Sequence, residues 1–324
     1  MRVVVLGAGG IGGTIGARLH QAGYDVALIA RGAHGDAIRE RGLTFATPEE
    51  RVTLRIPAYS HPGELAWRDD VVVLATKSQD TEAAARDLVV AAGQVPVVSA
   101  QNGVANERTL ARRFVHVHGM CVMMPTAHLE PGVVMAHSAG ATGILDLGRF
   151  PEGTDEVDEE LAAALRASRC ESVPRPDIMR WKYHKLLTNL GNAVQALCGP
   201  GLRDDDAARE VLALLHAEAD AALAAAGIVP ITEAEDDERR ADHLQIRGIS
   251  GESRAGGSTW QSLARGSGVE TDFLNGEIAL LGRLHGVPTP ANARLQGLMA
   301  QAAARGAGPG SMSPSELLAA LESG

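Results

Sequence analysis

The chain has 324 residues, of which 45% are hydrophobic and 22% are charged, and its formal net charge is −10. One hydrophobic core rarely serves a chain of this length, so we expect two domains. The negative balance argues against a general nucleic-acid-binding protein, because contacts to a phosphate backbone require clustered Lys and Arg. Any anionic ligand must therefore be held by a few local cations.

The three cysteines, Cys121, Cys170 and Cys198, are odd in number and lack the spacing of metal ligands. We expect them to be small core residues in a reducing compartment. The apolar run at 3–6 is too short for a cleavable leader, and no apolar run approaches the length that spans a bilayer. These features predict a cytoplasmic protein with no membrane partner.

Glycines spaced G-x-G-x-x-G follow the apolar run at the start of the chain. This spacing is typical of a buried strand that turns sharply into a helix and lets the backbone approach a pyrophosphate. The residues of the turn are Gly7, Ala8, Gly9, Gly10, Ile11 and Gly12. They predict a dinucleotide site; a glycine-rich turn between two core elements is the alternative.

Through the first half, short β-branched runs alternate with helical segments, which is typical of a doubly wound sheet. The predicted strands are 2–6, 25–30, 71–75, 95–100, 115–120, 133–137 and 142–147. Only a short turn separates the last two, which we expect to form an antiparallel appendix. A helix is predicted over 152–169.

Two prolines within 171–177 mark the best candidate boundary, and we predict one domain over 1–172 and a second over 173–324. Beyond residue 177 helical periodicity dominates. The predicted helices are 178–197, 205–226, 232–247, 270–285, 291–305 and a short last one from 315.

Two cations stand where a dinucleotide fold recognises the adenosine ribose. The second predicted strand ends at Arg31, where an acidic residue would bind the ribose hydroxyls and an arginine suits a 2′-phosphate. Lys77 follows the strand at 71–75 and lies at the same edge of the predicted sheet. Together they favour NADPH over NADH, although Arg31 could also be a surface residue at the end of a strand.

Polar residues in three places are candidates for the chemistry. The first is Gln101-Asn102-Gly103, directly after the strand at 95–100. An amide at this edge of the sheet can hold a substrate carbonyl or the nicotinamide ribose. The alternative for Asn102 is a favourable turn dipeptide with the glycine that follows it.

The second place is the helix at 178–197, where Lys182, Lys185, Asn189 and Asn192 recur in steps of three, four and three. This spacing puts them on one stripe, which is either solvated surface or the wall of a wet cleft. Asparagine forms helices poorly, which favours the cleft. A lysine there can polarise a ketone and protonate the resulting alkoxide.

The third place is the stretch 256–276, which contains Ser258 and Glu270. A hydroxyl and a carboxylate can bind a polyoxygenated acid and orient a lysine. By itself, Glu270 has another explanation, because it opens a predicted helix and carboxylates are favoured at helix N-termini.

Taken together, these motifs resemble the ketopantoate reductases, and the resemblance covers most of the chain. The motifs are the glycine turn, the Gln-Asn-Gly, the Lys185-Leu-Leu-Thr-Asn189 helix and the Ser258 to Glu270 stretch, in that order. The family implies a Rossmann domain and an all-helical C-terminal domain similar to that of 6-phosphogluconate dehydrogenase relatives. It also implies NADPH-dependent reduction of a small 2-keto acid, 2-dehydropantoate, to pantoate.

The resemblance also implies roles for single residues. Gly7, Gly9 and Gly12 match the pyrophosphate glycines, and Arg31 and Lys77 match the cations that bind the 2′-phosphate. Asn102 matches an amide near nicotinamide and substrate. For the substrate half, Lys185 matches the catalytic general acid, Asn189 a substrate-binding amide, and Ser258 and Glu270 the substrate-binding serine and the glutamate of the site.

Three positions depart from the family pattern. Ala193 stands where a second substrate asparagine is expected, with Asn192 one place earlier, and Ala255 and Ser262 replace an asparagine and an aspartate. In the family these positions bind the substrate, so changes there can alter which substrate is bound. An NADPH-dependent reductase of another 2-keto acid is therefore the alternative within the fold.

Two further readings are weaker. A non-catalytic NADPH-binding sensor would need neither Lys185 nor Glu270. A metal site at His116 and His118 would lack a carboxylate or cysteine at ligand spacing, so we predict no metal. The Ala-rich helices would allow a homodimer.

Overall fold

The computed structural model describes residues 1–241, 243–249 and 256–322. The chain forms two compact units, the first made of 1–182 and 232–254, the second of 183–231 and 255–324. This division differs from the predicted one at 172/173 in two ways. The first unit extends to Lys182, and a later segment of the chain returns to it.

The first unit is built around β-sheets. Its strands are β1 (Arg2–Leu6), β2 (Val26–Ile29), β3 (Leu43–Ala46), β4 (Arg51–Leu54), β5 (Ala58–Tyr59), β6 (Asp70–Leu74), β7 (Val97–Ser99), β8 (Val117–Met123), β9 (Thr126–Ala127), β10 (Val133–Ala136), β11 (Ser138–Gly140), β12 (Ile144–Arg149) and β13 (Leu244–Ile246). All seven predicted strands are among them.

The helices follow the same chain order. They are α1 (Gly10–Gln21), α2 (Gly32–Arg41), α3 (Thr81–Ala92), α4 (Asn106–Leu110), α5 (Glu156–Ala167), α6 (Ile178–Asn189), α7 (Gly191–Cys198), α8 (Asp206–Ala225), α9 (Glu233–Arg240), α10 (Ser258–Ala264), α11 (Asn275–His285), α12 (Pro290–Ala304) and α13 (Pro314–Glu322). None of the described helices is long and apolar enough to cross a membrane.

The main sheet has seven strands in the order β12-β8-β7-β6-β1-β2-β5. All neighbours run parallel except β12, which is antiparallel to β8. Val3, Val4 and Val5 of β1 are at most 1% exposed, as expected for a parallel strand covered on both faces. After β1 the chain adds β2 on one side of it, and β6 is added later on the other side. The strand order reverses at this point, so the carboxyl ends of β1 and β6 form the switch point where such sheets bind ligands.

A second sheet has the order β4-β3-β10-β9. The predicted antiparallel pair of the strands at 133–137 and 142–147 is therefore wrong. β10 belongs to this second sheet, whereas β12 closes the edge of the main sheet. The short connection between them is itself a strand, β11, whose partner β13 comes from much later in the chain.

The predicted helix at 232–247 is correct only in its first half. A capping box between Thr232 and Glu235 begins α9, and the helix ends at Arg240. Ala241 then has a φ of 33°, which redirects the chain into β13. The helical pattern of the sequence is overridden here by pairing with a distant strand.

The second unit is helical. A core of aliphatic residues from α7, α8, α12 and α13 holds it together, including Val194, Leu215, Leu295, Met299 and Leu317. The predicted helix at 178–197 is present as α6 and α7, with Leu190 between them. A doubly wound sheet followed by a helical domain, the predicted Rossmann architecture with an all-α partner, is thus confirmed.

Candidate active site

The glycine-rich turn connects β1 to α1 at the switch point of the sheet. Gly7 has a φ of 103°, and a Cβ there would lie 2.8 Å from the carbonyl carbon of Ala75. A Cβ on Gly12 would lie 2.1 Å from the carbonyl oxygen of Gly7. The first and third glycines are therefore required by the fold itself, for the tight turn and for close packing of α1 on the sheet.

Gly9 is different, because nothing in the described fold requires a glycine there. Its φ is −68°, a value that any residue adopts. One described atom, His128 Nδ1 at 3.9 Å, lies within 4 Å of the place a Cβ would take. Gly9 thus leaves a backbone surface open at the N-terminus of α1, where a pyrophosphate is stabilised by N–H groups and the helix dipole. The turn fits a dinucleotide.

Arg31 and Lys77 follow the two strands that flank β1. Arg31 is exposed and precedes the first residue of α2, and Lys77 is half-buried and directly precedes a short 3-10 helix at 78–80. Because β2 and β6 run parallel to β1, both cations belong to the carboxyl edge of the sheet, as predicted.

Asn102 lies in the loop after β7, and this loop is held from both sides. Gln101 donates its amide N–H to the carbonyl of Thr76 at 2.9 Å, which ties the loop to the one after β6. Asn106 donates to the carbonyl oxygen of Asn102 at 3.0 Å. The loop is thus fixed rather than an isolated turn, and the half-buried Asn102 side chain starts from a rigid backbone.

Lys182 is part of the same support. Its ammonium lies 2.7 Å from the Glu107 carboxylate and donates to the carbonyl oxygens of Gln101 at 2.8 Å and Met120 at 3.2 Å. The side chains of Lys182 and Glu107 are 2% and 0% exposed. The predicted polar stripe therefore divides at this residue, since Lys182 is a buried structural group.

Lys185 and Asn189 stand one turn apart on α6, in the second unit. Lys185 is half-buried and Asn189 is 5% exposed. Residues four apart share a helix face, so an ammonium and an amide are presented side by side. This is the arrangement that the sequence predicts for a general acid with a substrate-binding amide.

Asn192 lies close to the start of α10. Gly257 donates its backbone N–H to the Gln195 side chain at 2.8 Å, and a Cβ on Gly257 would lie 3.5 Å from Asn192 Oδ1. Ser258 is the next residue, the first of α10, and it is exposed. The fold therefore brings together Asn192 and the segment that carries Ser258, two sites 66 positions apart in the sequence.

The departures from the family pattern have structural counterparts. Ala193 is 2% exposed, and its methyl group packs in the helical core. The neighbouring Asn192 is polar and half-buried. Ser262 is 3% exposed and donates its hydroxyl to the carbonyl of Ser258 at 2.9 Å. Ala255 lies outside the described residues.

Glu270 is half-buried and precedes a short 3-10 helix at 271–273. The predicted helix at 270–285 begins later, at Asn275, and the Glu270 side chain makes no capping hydrogen bond to the 3-10 turn. Glu270 therefore precedes the first turn of α11 and stands at the N-cap position of the 3-10 turn instead.

A buried polar network supports this part of the second unit and was not predicted. Asn275 donates to Asn292 Oδ1 at 3.1 Å and to the carbonyl of Leu190 at 3.4 Å. Asn292 in turn donates to Glu218 at 2.8 Å. The network reaches the junction of α6 and α7, between Asn189 and Asn192. Asparagines inside predicted helices were the available signal, because they form helices poorly without a partner.

A second cluster was also missed, around His118. Asp158 Oδ1 lies 2.8 Å from His118 Nδ1, and Asp155 Oδ2 lies 3.9 Å from Nε2. Sequence spacing gave no carboxylate near this histidine, but the fold brings α5 against β8. Both carboxylates also form the capping box of α5, and Arg149 lies 3.5 Å from Asp155. The two carboxylates of the cluster thus cap the N-terminus of α5.

Two of the cysteines are unsuited to nucleophilic chemistry. Burial raises the pKa of Cys170 to about 12 and that of Cys198 to about 11. Their thiols stay protonated at neutral pH, in line with core residues.

Two models of known protein families match this chain. Residues 3–152 match the family described as ketopantoate reductase PanE/ApbA, and residues 177–303 match its C-terminal family. A 2-dehydropantoate 2-reductase of Halobacterium salinarum is 30% identical over 310 residues, covering 90% of this chain and 95% of that protein.

Solved structures give the same result. The PanE/ApbA family ketopantoate reductase from Ralstonia eutropha superposes with a TM-score of 0.80 at 30% identity, covering 94% of this chain and 99% of that one. D-mandelate dehydrogenase, solved with NADH and anilino(oxo)acetate, has the same fold with a TM-score of 0.81 at 22% identity and the same coverage. The two family models and these relatives lead to one conclusion: the chain belongs to the ketopantoate reductase family.

Proposed function

We propose that this protein is an NADPH-dependent 2-dehydropantoate 2-reductase. The single observation that carries the proposal is the pair of Lys185 and Asn189 on one face of α6, in a chain whose first unit has an open glycine turn. The family is one of nicotinamide-dependent reductases, and its named relatives include 2-dehydropantoate 2-reductases. We also propose that the first unit binds the nucleotide and the second provides the substrate groups.

The cofactor would be held by residues of the first unit. The backbone of the turn at 7–12 would bind the pyrophosphate, and Arg31 and Lys77 would bind the 2′-phosphate. Asn102 would hold the nicotinamide end through its amide. When bound, NADPH supplies the hydride that reduces the ketone carbon.

The residues of the second unit would handle the substrate. The Lys185 ammonium polarises the ketone oxygen and then gives its proton to the alkoxide that forms there. Asn189 and Glu270 bind the substrate hydroxyl, Glu270 orients the ammonium, and Ser258 with Asn192 binds the carboxylate. A cytoplasmic location and a homodimer stay predictions.

One observation favours a second candidate, an NADPH-dependent reductase of another small 2-keto acid. Where the family pattern has a substrate-binding asparagine and an aspartate, Ala193 packs in the helical core and the Ser262 hydroxyl donates to the Ser258 carbonyl of its own helix. The D-mandelate dehydrogenase of the same fold is a precedent for a different 2-keto acid on this scaffold.

Steady-state oxidation of NADPH tests both candidates. The substrates are 2-dehydropantoate, 2-ketoisovalerate and pyruvate, each repeated with NADH. We expect the highest kcat/KM with 2-dehydropantoate and a preference for NADPH of about tenfold or more, the effect of one charge-assisted phosphate contact. A higher kcat/KM with one of the other acids would favour the second candidate. Absence of turnover with all three acids would overturn the first candidate.

A further inference from the structure

Two histidines from distant parts of the chain meet at the glycine turn. His34 belongs to α2, and His128 follows β9. Their ring centroids are 4.1 Å apart and the rings are tilted by 54°. Neither residue has a role in the proposed function.

His34 is fixed by two backbone groups. Its Nε2 lies 2.7 Å from the carbonyl oxygen of Ala8, inside the glycine turn, and the backbone N–H of Gly132 donates to its Nδ1 at 2.8 Å. A carbonyl only accepts and an amide N–H only donates. His34 therefore carries its hydrogen on Nε2 and is neutral, and it joins the turn to the loop at 128–132.

The loop at 128–132 is itself anchored. It connects the antiparallel strands β9 and β10, and its Gly132 carbonyl accepts from Thr44 of β3 at 2.8 Å. Gly132 has a φ of 80°, and a Cβ there would lie 2.9 Å from the Ala37 Cβ of α2. The start of the loop, His128, is thus held against α2 and the glycine turn.

His128 Nδ1 is the described atom nearest to the place that a Cβ on Gly9 would take. This atom lies 3.9 Å from the Cβ position of Gly9, the glycine that the fold itself does not require. The turn has no cationic side chain at 7–12, and α1 has no charged side chain in its first turn. Within the described turn and the first turn of α1, the groups that could bind the two pyrophosphate charges are therefore backbone N–H groups, because Arg31 and Lys77 are assigned to the 2′-phosphate.

We propose that His128 binds the pyrophosphate of the dinucleotide through its imidazole N–H and that His34 is the residue that positions it. This inference rests on the proposed function, which supplies the dinucleotide. An imidazole N–H donated to a phosphate oxygen is a charge-assisted hydrogen bond, worth more than one between neutral groups. His34 acts through the ring contact and the loop, without touching the nucleotide.

Nucleotide affinity, measured by calorimetry without a keto acid, tests the assignment. His128→Ala should weaken NADPH and NADH alike, by about tenfold, because both carry the pyrophosphate. His128→Asn should retain most of the affinity, since the amide N–H of asparagine lies where Nδ1 does. Arg31→Gln is the matched comparison and should weaken NADPH alone.

The outcomes separate the possible failures. Unchanged affinity of His128→Ala for both nucleotides would overturn the inference and leave the proposed function intact. A loss confined to NADPH would also overturn it, because the contact would then be to the 2′-phosphate. If the unmodified protein bound neither nucleotide, the proposed function would fail and this inference with it.

A double-mutant cycle tests the role of His34. His34→Ala should weaken both nucleotides, and little further loss should follow when His128→Ala is added, because His34 acts through His128. His34→Gln should restore affinity, since its amide offers one donor to Ala8 and one acceptor to Gly132. Additive losses, or no rescue by glutamine in a variant with unchanged Tm, would contradict the positioning role.

Discussion

At the scale of single residues, two lysines three positions apart have different surroundings. Lys182 is buried and its ammonium contacts a carboxylate and two carbonyl oxygens. Lys185 is half-buried and belongs to the other unit. Both lysines lie on the same predicted helical stripe. Mutating each of them separately tests whether one is needed for stability and the other for the proposed catalysis.

We expect Lys182→Met to cost about 3–5 kcal/mol in the free energy of unfolding, because the Glu107 carboxylate is left buried without its cation. We expect Lys185→Ala to lower kcat by about 10²- to 10⁴-fold, the usual contribution of a general acid, with NADPH affinity unchanged. Urea unfolding, steady-state kinetics and nucleotide titration measure the three quantities.

A compensating variant sharpens the comparison. Lys182→Met combined with Glu107→Leu should recover much of the lost stability, since the uncompensated charge is then gone. If Lys185→Ala kept its kcat, Lys185 would be removed from the mechanism. If Lys182→Met kept full stability, the buried ion pair would contribute nothing to the free energy of unfolding.

At the scale of elements, the segment that returns from the second unit is anchored by one buried carboxylate. Asp146 of β12 is 1% exposed and accepts two hydrogen bonds from Arg239 of α9, at 2.7 and 2.8 Å. Arg175 also contacts it at 3.2 Å. Burial opposes the charge of Arg239, but the bonds to Asp146 outweigh it and hold the pKa of the guanidinium above its ordinary value.

Asp146→Ala should therefore release α9 and β13 from the first unit. We expect faster hydrogen exchange over 232–241 and 243–249 with little change in β1 and β6, because Arg239 is left buried without its partner, a loss of about 3–5 kcal/mol. Exchange followed by mass spectrometry resolves these segments.

Arg41→Gln is the control for this experiment. Its exposed ion pair with Glu40, 3.4 Å long, should contribute little. Equal exchange in both variants would show that the contacts of Asp146 with Arg239 do not hold α9 and β13 to the first unit. Exchange that rises throughout the first unit would show that the contacts of Asp146 stabilise the whole unit instead.

At the scale of the whole molecule, buried carboxylates link stability to pH. Burial alone would raise the pKa of Asp70, but its hydrogen bonds from the Arg2 side chain and the Arg68 backbone outweigh this, and the pKa lies below its ordinary value. Glu50 shows the same balance beside Arg18. A carboxyl whose pKa is lower in the folded state stabilises the fold above its unfolded pKa and loses this contribution as protons bind.

We expect the free energy of unfolding to be nearly constant near neutral pH and to fall below about pH 4, the ordinary carboxyl pKa. Asp70→Asn should be less stable than the unmodified protein at pH 7, and the difference should shrink as the pH falls. Urea midpoints measured between pH 7 and pH 3 check this. A difference that stayed constant with pH would exclude Asp70 as a source of the acid sensitivity.

The sequence was most informative where one local pattern had one physical explanation. The β-branched runs placed all seven predicted strands, because a buried strand needs a short run of apolar residues. The positions of Asn102 and Arg31 at strand ends followed from the same pattern. Prediction failed where a distant partner decided the outcome, as at 244–246, where a helical pattern became a strand paired with β11.

The sequence by itself thus determined the sheet, the glycine turn and the set of candidate side chains, because local periodicity and spacing depend on neighbours along the chain. Only the tertiary structure decided what each group contacts. It buried Lys182 against Glu107, brought the segment of Ser258 to Asn192, and placed the ring of His34 in tilted contact with that of His128 beside Gly9. Burial and contact are properties of packing, and packing joins residues that sequence spacing does not relate.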